Sequence, residues 1–152
     1  CKWLKDELNF DEVINYKTES GNLDAAIRAA CPEGVDVYFD NVGGEILDAA
    51  LLNLRDNARI VFCGSISTYN AAEPVPGPYN YWQILAKNAV VKGFLISSYF
   101  EQFEVGAAAL AQLLIDEKIN FKYEIIDGFD NTLTAFHKLF DGSNTGKLML
   151  KV

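Results

Sequence analysis

The residues best equipped for chemistry lie in two glycine-bearing loops, Asn41-Val42-Gly43-Gly44 and Cys63-Gly64-Ser65-Ile66-Ser67-Thr68-Tyr69. Glycine lets a backbone approach a ligand closely and adopt positive φ. Asn41 can offer its amide to a ribose or a carboxamide, or it can serve as a cap in a tight strand-to-helix turn. The second loop presents backbone N–H groups, hydroxyls and a phenol within one short stretch. That set suits a ribose, a pyrophosphate or a polarised carbonyl, and it equally suits a polar surface loop. Neither loop has the spacing of a GxGxxG or a Walker motif.

Other candidates carry less. Gly142-Ser143-Asn144-Thr145-Gly146-Lys147 superficially looks like a phosphate loop, but it lacks the GxxxxGK[ST] spacing and precedes a strand. It reads as a turn. His137, the single histidine, borders an apolar helical face, and three cysteines show no CxxC spacing, so no metal site is expected. Cys63 has no histidine near it in sequence to activate a thiol. Asp36 and Asp40 read as a solvated strand edge rather than a catalytic pair.

The elements that must position the two loops follow from periodicity. Strands are expected at Asp11–Tyr16, Val35–Phe39 (a buried-type strand), Arg59–Cys63, Ala89–Ile96, Lys122–Ile126 and Lys147–Val152. Helices are expected at Asn22–Ala30, Glu45–Leu54, Tyr81–Lys87, Phe103–Glu117 and Thr132–Phe140. In Glu45–Leu54, Ile46, Leu47, Ala50 and Leu51 should face inward; Leu110, Leu113 and Leu114 form one face of the long helix. Between Gly64 and Tyr79 regular patterning lapses, and a loop of that length in a domain is usually functional. Alternating strands and helices predict an α/β fold: βαβ units with a largely parallel sheet, as in the second half of a Rossmann-type domain with a helix–strand extension. Both glycine loops follow the carboxyl ends of strands, the edge where such sheets bind ligands.

Composition sets the outer limits. One domain is expected from 152 residues, half of them apolar, a globular rather than disordered balance. The formal charge of −8 argues against nucleic acid and anionic membrane as partners. No apolar stretch approaches the roughly 20 residues of a membrane span, and the cytoplasm is the expected compartment. The chain opens without Met, on Cys1-Lys2-Trp3-Leu4-Lys5, which reads as the middle of a helix, so it is taken as a fragment.

The tracts INYKT, VYFDNVGGE, ARIVFCGSISTYN, the following PGP, KGFLI and DGFDNTLTAFHKLFDGSNTGK, with the opening CKWL, resemble the zinc-independent medium-chain dehydrogenase/reductases. Within them the similarity is to the leukotriene B4 12-hydroxydehydrogenase/prostaglandin reductase and alkenal double-bond reductase branch, and it runs over essentially the whole chain. It implies NADPH-dependent reduction of the C=C bond of α,β-unsaturated aldehydes and ketones, without metal. Quinone reduction with the same donor and a non-catalytic Rossmann-like module are the alternatives.

By that resemblance Tyr16 lies near the adenosine 2′-phosphate and Asn41 contacts the nicotinamide-side ribose or carboxamide. Cys63, Gly64, Ser65, Ile66, Ser67, Thr68 and Tyr69 line the nicotinamide half, with Tyr69 the donor to a ribose hydroxyl or an enolate. Phe94, Leu95 and Ile96 pack beside the nicotinamide, and Asn144 reaches the pyrophosphate or a ribose. The resemblance also puts the family's glycine-rich loop, two strands from the middle of the sheet and the GroES-like substrate domain upstream of Cys1. Exposed apolar strand edges, weak binding of NADPH by the isolated chain, and rearrangement or homodimerisation through an edge are then expected.

Overall fold

The computed structural model describes residues 1–152. The chain divides into two compact units, Cys1–Glu101 and Gln102–Val152.

In the first unit, α1 (Lys2–Asp6) precedes α2 (Leu23–Ala30), β1 (Val35–Asp40), α3 (Gly44–Leu52), β2 (Leu54–Phe62), α4 (Gln83–Ala86) and β3 (Val90–Gly93). The three strands form one parallel sheet in the order β1-β2-β3. Parallel neighbours need a crossover, and α3 supplies it between β1 and β2. α3 buries Ala49, Ala50 and Leu51. Leu51 meets Leu54, Ala58 and Ile60 of β2 to make the core, with Tyr38, Leu47, Ile84 and Ala89 packed against it. Asn53, buried after α3, donates from Nδ2 to the carbonyls of Ala49 (2.8 Å) and Asp24 (3.1 Å) and so ties α3 to α2.

The second unit contains α5 (Phe103–Ile115), β4 (Tyr123–Asp127), α6 (Thr132–Asp141) and β5 (Lys147–Lys151). β4 and β5 pair in parallel, with α6 as the crossover. Gly142 closes α6 in the left-handed conformation, and the Gly142–Lys147 stretch is the turn into β5, as its composition predicts.

The α/β class with parallel pairing is as read from the sequence, and several details differ. Asp11–Tyr16 is not a strand: it carries no ladder, and its Asp11 carbonyl accepts from the Lys5 ammonium instead. A strand exists only with a neighbour to pair, and no other strand lies beside this one. β1 is not of the buried type: it is an edge strand, with Val37 64% and Phe39 52% exposed. β2 begins at Leu54 rather than Arg59, and its pairing with β1 is irregular between Val35 and Val37, where Asn57 takes positive φ. The apolar face of α5 is largely uncovered, with Leu110 and Leu114 both exposed. The strands form two sheets rather than one.

Candidate functional site

The sheet register builds the site. Asp40 pairs with Phe62, and Phe62 pairs with Gly93, so β1, β2 and β3 end in one row. The segments 41–44, 63–69 and 94–96 all leave from that row. This is the carboxyl edge of a parallel sheet, where α/β proteins bind ligands.

Asp40 organises the first two segments. It is 0% exposed, and its carboxylate oxygen Oδ1 accepts three hydrogen bonds: from the Tyr38 hydroxyl (3.0 Å), Val42 N–H (3.0 Å) and Gly43 N–H (2.9 Å). The other oxygen, Oδ2, is buried without a partner. Burial, then the charge and hydrogen bond of Asp40, push the Tyr38 phenol well above its ordinary pKa. The Asp40 main-chain carbonyl in turn accepts from Cys63 N–H (2.8 Å) and Gly64 N–H (3.1 Å). Expecting Asp40 on a solvated edge was therefore wrong. Asp36 does lie on the surface, paired with Arg55 at 3.2 Å. Asp40, at the far end of the strand, turns inward to satisfy backbone donors that the end of the ladder leaves open.

The two loops then lock together. Ile66 N–H donates to the Asn41 carbonyl (3.2 Å), and Ser67 N–H and Oγ both donate to the Val42 carbonyl (3.1 and 2.5 Å). Glycine is required where they meet. A Cβ on Gly43, whose φ is +68°, would stand 2.5 Å from Ser65 Oγ. On Gly44 it would stand 3.0 Å from Ser67 Oγ, and on Gly64 it would stand 3.2 Å from the Asn41 carbonyl and 3.3 Å from the Tyr69 hydroxyl. The Tyr69 phenol thus lies over Gly64 at the strand ends, with its side chain 68% exposed. Thr68 Oγ1 donates to the Ser65 carbonyl (2.9 Å) and shapes the short turn between them. On the neighbouring segment Phe94 N–H extends the ladder to the Phe62 carbonyl (2.9 Å), and the Phe94 ring meets Phe39 and Tyr99 at 6.0 and 5.2 Å.

A cleft of about 540 Å³ opens beside these loops, lined by Gly43, Gly44, Leu47, Phe62, Ser65 and the segment Val75–Tyr79. The first-turn N–H groups of α3 have no partner within the helix, and Gly44 and Glu45 line the cleft. Backbone that only glycine permits, free helix N–H groups, hydroxyls and an apolar wall together fit the nicotinamide and ribose half of a dinucleotide. No three His, Cys, Asp or Glu side chains are gathered at one place.

Of the residues singled out from sequence, the structure brings together Asn41, Cys63 to Tyr69 and Phe94 at one sheet edge. Leu95 and Ile96 follow directly and are exposed. Asn41 caps nothing with its side chain; Gly43 is the N-cap of α3, and Asp40 takes the role of bonding the turn's N–H groups. Tyr16 sits in the turn around Asn15–Thr18, in the first unit but off the strand-end row. Asn144 belongs to the second unit, where its Nδ2 donates to the Gly146 carbonyl (3.0 Å). Sequence reasoning missed Asp40 and the cleft wall at Val75–Tyr79. An acidic residue at the end of an apolar run, just before a glycine pair, was the available sign of the first, and Pro-Gly-Pro within the long loop was that of the second.

Comparison with known proteins agrees with this geometry. Residues 1–112 match the family described as zinc-binding dehydrogenase. Over 99% of its length the chain is 45% identical to the putative NADP-dependent oxidoreductase YfmJ of Bacillus subtilis, covering 44% of that protein. It is 40% identical to prostaglandin reductase 1 of Bos taurus and 36% identical to an NADP(+)-dependent 2-alkenal reductase of Nicotiana tabacum, over 98% of the chain and 45% and 43% of those proteins. The crystal structure of CurA from Vibrio vulnificus in complex with NADPH superposes with a TM-score of 0.88 at 35% identity, covering all of this chain and 46% of that one. The chain spans about half the length of the curated relatives it matches. A parallel α/β unit with an interlocked glycine site at its carboxyl edge, and these relatives, place the chain in the zinc-binding dehydrogenase family, within its alkenal and prostaglandin reductase branch.

Proposed function

We propose that this chain forms the nicotinamide-side part of an NADPH-dependent reductase acting on the C=C bond of α,β-unsaturated aldehydes and ketones. The observation that carries the reading is the Tyr69 phenol lying over Gly64, beside the interlocked 41–44 and 63–69 loops, at the row where three parallel strands end. The names of the relatives support the donor and the acceptor class. Bound NADPH supplies the hydride, received at the acceptor's β-carbon.

This chain's residues then have three tasks. Backbone of 41–44 and 63–69, kept close by Asp40 and three glycines, holds the ribose and carboxamide. Phe94 and the apolar side of the cleft exclude water from the reacting face. Tyr69 donates its O–H toward the acceptor's carbonyl oxygen as negative charge builds there, an interaction stronger in the transition state than with the neutral carbonyl. A proton taken up from solvent at the α-carbon completes the reduction. For the regions outside the strand-end row we propose the roles that the resemblance implies: Tyr16 beside the 2′-phosphate and Asn144 at the pyrophosphate or a ribose. Self-association as a homodimer is part of the same proposal.

The test is NADPH and NADH oxidation by the full-length protein with enals, enones and quinones. NADPH-dependent enal and enone reduction is expected. Tyr69→Phe should lower kcat at least about tenfold, the usual scale for one transition-state donor, while the KM for NADPH stays within about twofold. Unchanged kcat in the variant removes Tyr69 from the mechanism. Activity confined to quinones favours the alternative acceptor, and no oxidation with any acceptor favours a non-catalytic module.

A further inference from the structure

One wall of the cleft is a strap. Residues 72–79 make no backbone–backbone hydrogen bond and belong to no regular element. Pro74, Pro76 and Pro78 restrict the backbone of this segment, so it behaves as a stiff piece rather than a floppy one. At one end it continues from the Ser65–Ala71 turn, where Ala71 N–H donates to the Thr68 carbonyl (3.1 Å). At the other end it is fastened to α3 by one residue pair. Asn80 N–H donates to Asp48 Oδ1 (3.0 Å), and Asn80 Nδ2 donates to the Asp48 carbonyl (3.2 Å). Val75, Pro76 and Pro78 of the strap face Leu47 of α3 and Phe62 of β2 across the cleft. That side of the cleft is hydrocarbon, while Glu45, Asp48, Ser65 and Thr68 complete its lining, and the volume is in the range that small-molecule sites occupy.

We propose that Asp48 and Asn80 are positioning residues: their two hydrogen bonds set the separation of strap and helix, making the apolar side of the cleft the seat of the acceptor's hydrocarbon chain and a selector of its length. The proposal rests on the reductase reading above. Because the latch acts on the chain and not on the reacting carbons, its loss affects long acceptors and spares short ones.

The experiment compares a nine-carbon and a three-carbon 2-alkenal as acceptors for the full-length protein, wild type against Asp48→Ala and Asp48→Asn. Asp48→Ala removes the acceptor of the Asn80 N–H. Asp48→Asn keeps a carbonyl oxygen in that place. In Asp48→Ala the ratio of kcat/KM for the long over the short aldehyde is expected to fall about tenfold, the scale of a lost buried contact, with the loss in KM for the long one. Asp48→Asn should restore that ratio to within about threefold of wild type. Hydrogen exchange at the Asn80 amide should be at least about tenfold faster in Asp48→Ala than in Asp48→Asn. An unchanged ratio in Asp48→Ala, equal losses for both aldehydes, or an Asn variant as impaired as the Ala variant overturns the proposal. Wild-type protein that reduces neither aldehyde overturns the reductase reading and the chain-length role with it, and the Asn80 exchange rates then decide the latch alone.

Discussion

Replacing Asp40 with alanine should unlock the strand-end loops and cost the first unit about 3 kcal/mol. Three donors lose their acceptor at once: the Tyr38 hydroxyl and the Val42 and Gly43 N–H groups, all within 3.0 Å of Oδ1. A buried donor left unpaired costs roughly 1–3 kcal/mol, and the Gly43 bond is the buried one. The other two are half-buried and recover part of their loss from water, so each contributes about 1 kcal/mol or less. Against this, alanine removes a buried carboxylate whose Oδ2 has no partner, which relieves some desolvation. The net of about 3 kcal/mol corresponds to roughly a hundredfold in the folding equilibrium. Both tryptophans, Trp3 and Trp82, lie in the first unit, so tryptophan fluorescence during urea unfolding reports on that unit. The midpoint should drop with little change in slope. Tyr38→Phe alone should cost about 1 kcal/mol. In the Asp40→Ala background it should cost almost nothing further, because the phenol has already lost its acceptor. A loss below about 0.5 kcal/mol for Asp40→Ala, smaller than a single typical hydrogen bond, would refute the reasoning. So would full additivity in the double variant.

Gly43→Ala should destabilise the same unit by about 2–4 kcal/mol, from a positive φ that alanine resists and a Cβ placed against Ser65 Oγ; adding Ser65→Ala should return the contact part but not the backbone part, read as an intermediate urea midpoint. Burial and Asp40 raise the Tyr38 phenol in the folded state above its unfolded value, so its contribution is complete below about pH 10 and is lost as pH rises past that value. The urea midpoint by tryptophan fluorescence should therefore fall in alkali, and less steeply in Tyr38→Phe. In the second unit, the hydrogen bond from the Lys138 ammonium, aided by the Thr145 N–H, holds the Glu124 carboxyl below the usual glutamate range. Its contribution is present above the ordinary glutamate pKa and disappears as pH falls through the lowered one. Met149 of β5 is the single methionine, and its methyl resonance should report an acid transition that Glu124→Gln weakens.

Local pattern was enough for most elements. α2, α3, α5 and α6 announce themselves by apolar spacing, and β1, β2, β4 and β5 by short apolar runs between turn residues. Pairing is not local. Asp11–Tyr16 has the composition of a strand, yet a ladder needs a neighbour, and none pairs with it. Val37 and Phe39 have the side chains of a buried strand, yet they stand exposed on a sheet edge. In each case composition reports what a residue favours, and only the register reports what lies beside it. The same limit applied to Asp40. In sequence it is one carboxylate four residues from another; in the strand, residues 36, 38 and 40 share a face, so Tyr38 lies beside Asp40 and the open N–H groups of the next turn lie just beyond. Asn41, the more conspicuous polar residue, bonds through its main-chain carbonyl, which accepts from Ile66 N–H.

The two glycine loops were weak signals separately because neither has a motif of its own; what marks them is how closely each fits the other. A GxGxxG loop wraps a phosphate with a single stretch of backbone and so keeps a fixed spacing. Here the close contacts are shared between two stretches. Gly43 and Gly44 leave the space that Ser65 and Ser67 fill, and Gly64 leaves the space that the Tyr69 hydroxyl and the Asn41 carbonyl fill. Each loop therefore supplies the contacts that position the other, through the Asp40, Asn41 and Val42 carbonyls. The constraint falls on the fit between loops rather than on spacing within one. That arrangement leaves the Asn41 amide and the Tyr69 phenol clear of the locking bonds. A substitution at Gly43 or Asp40 should therefore displace Tyr69, although neither residue touches it directly.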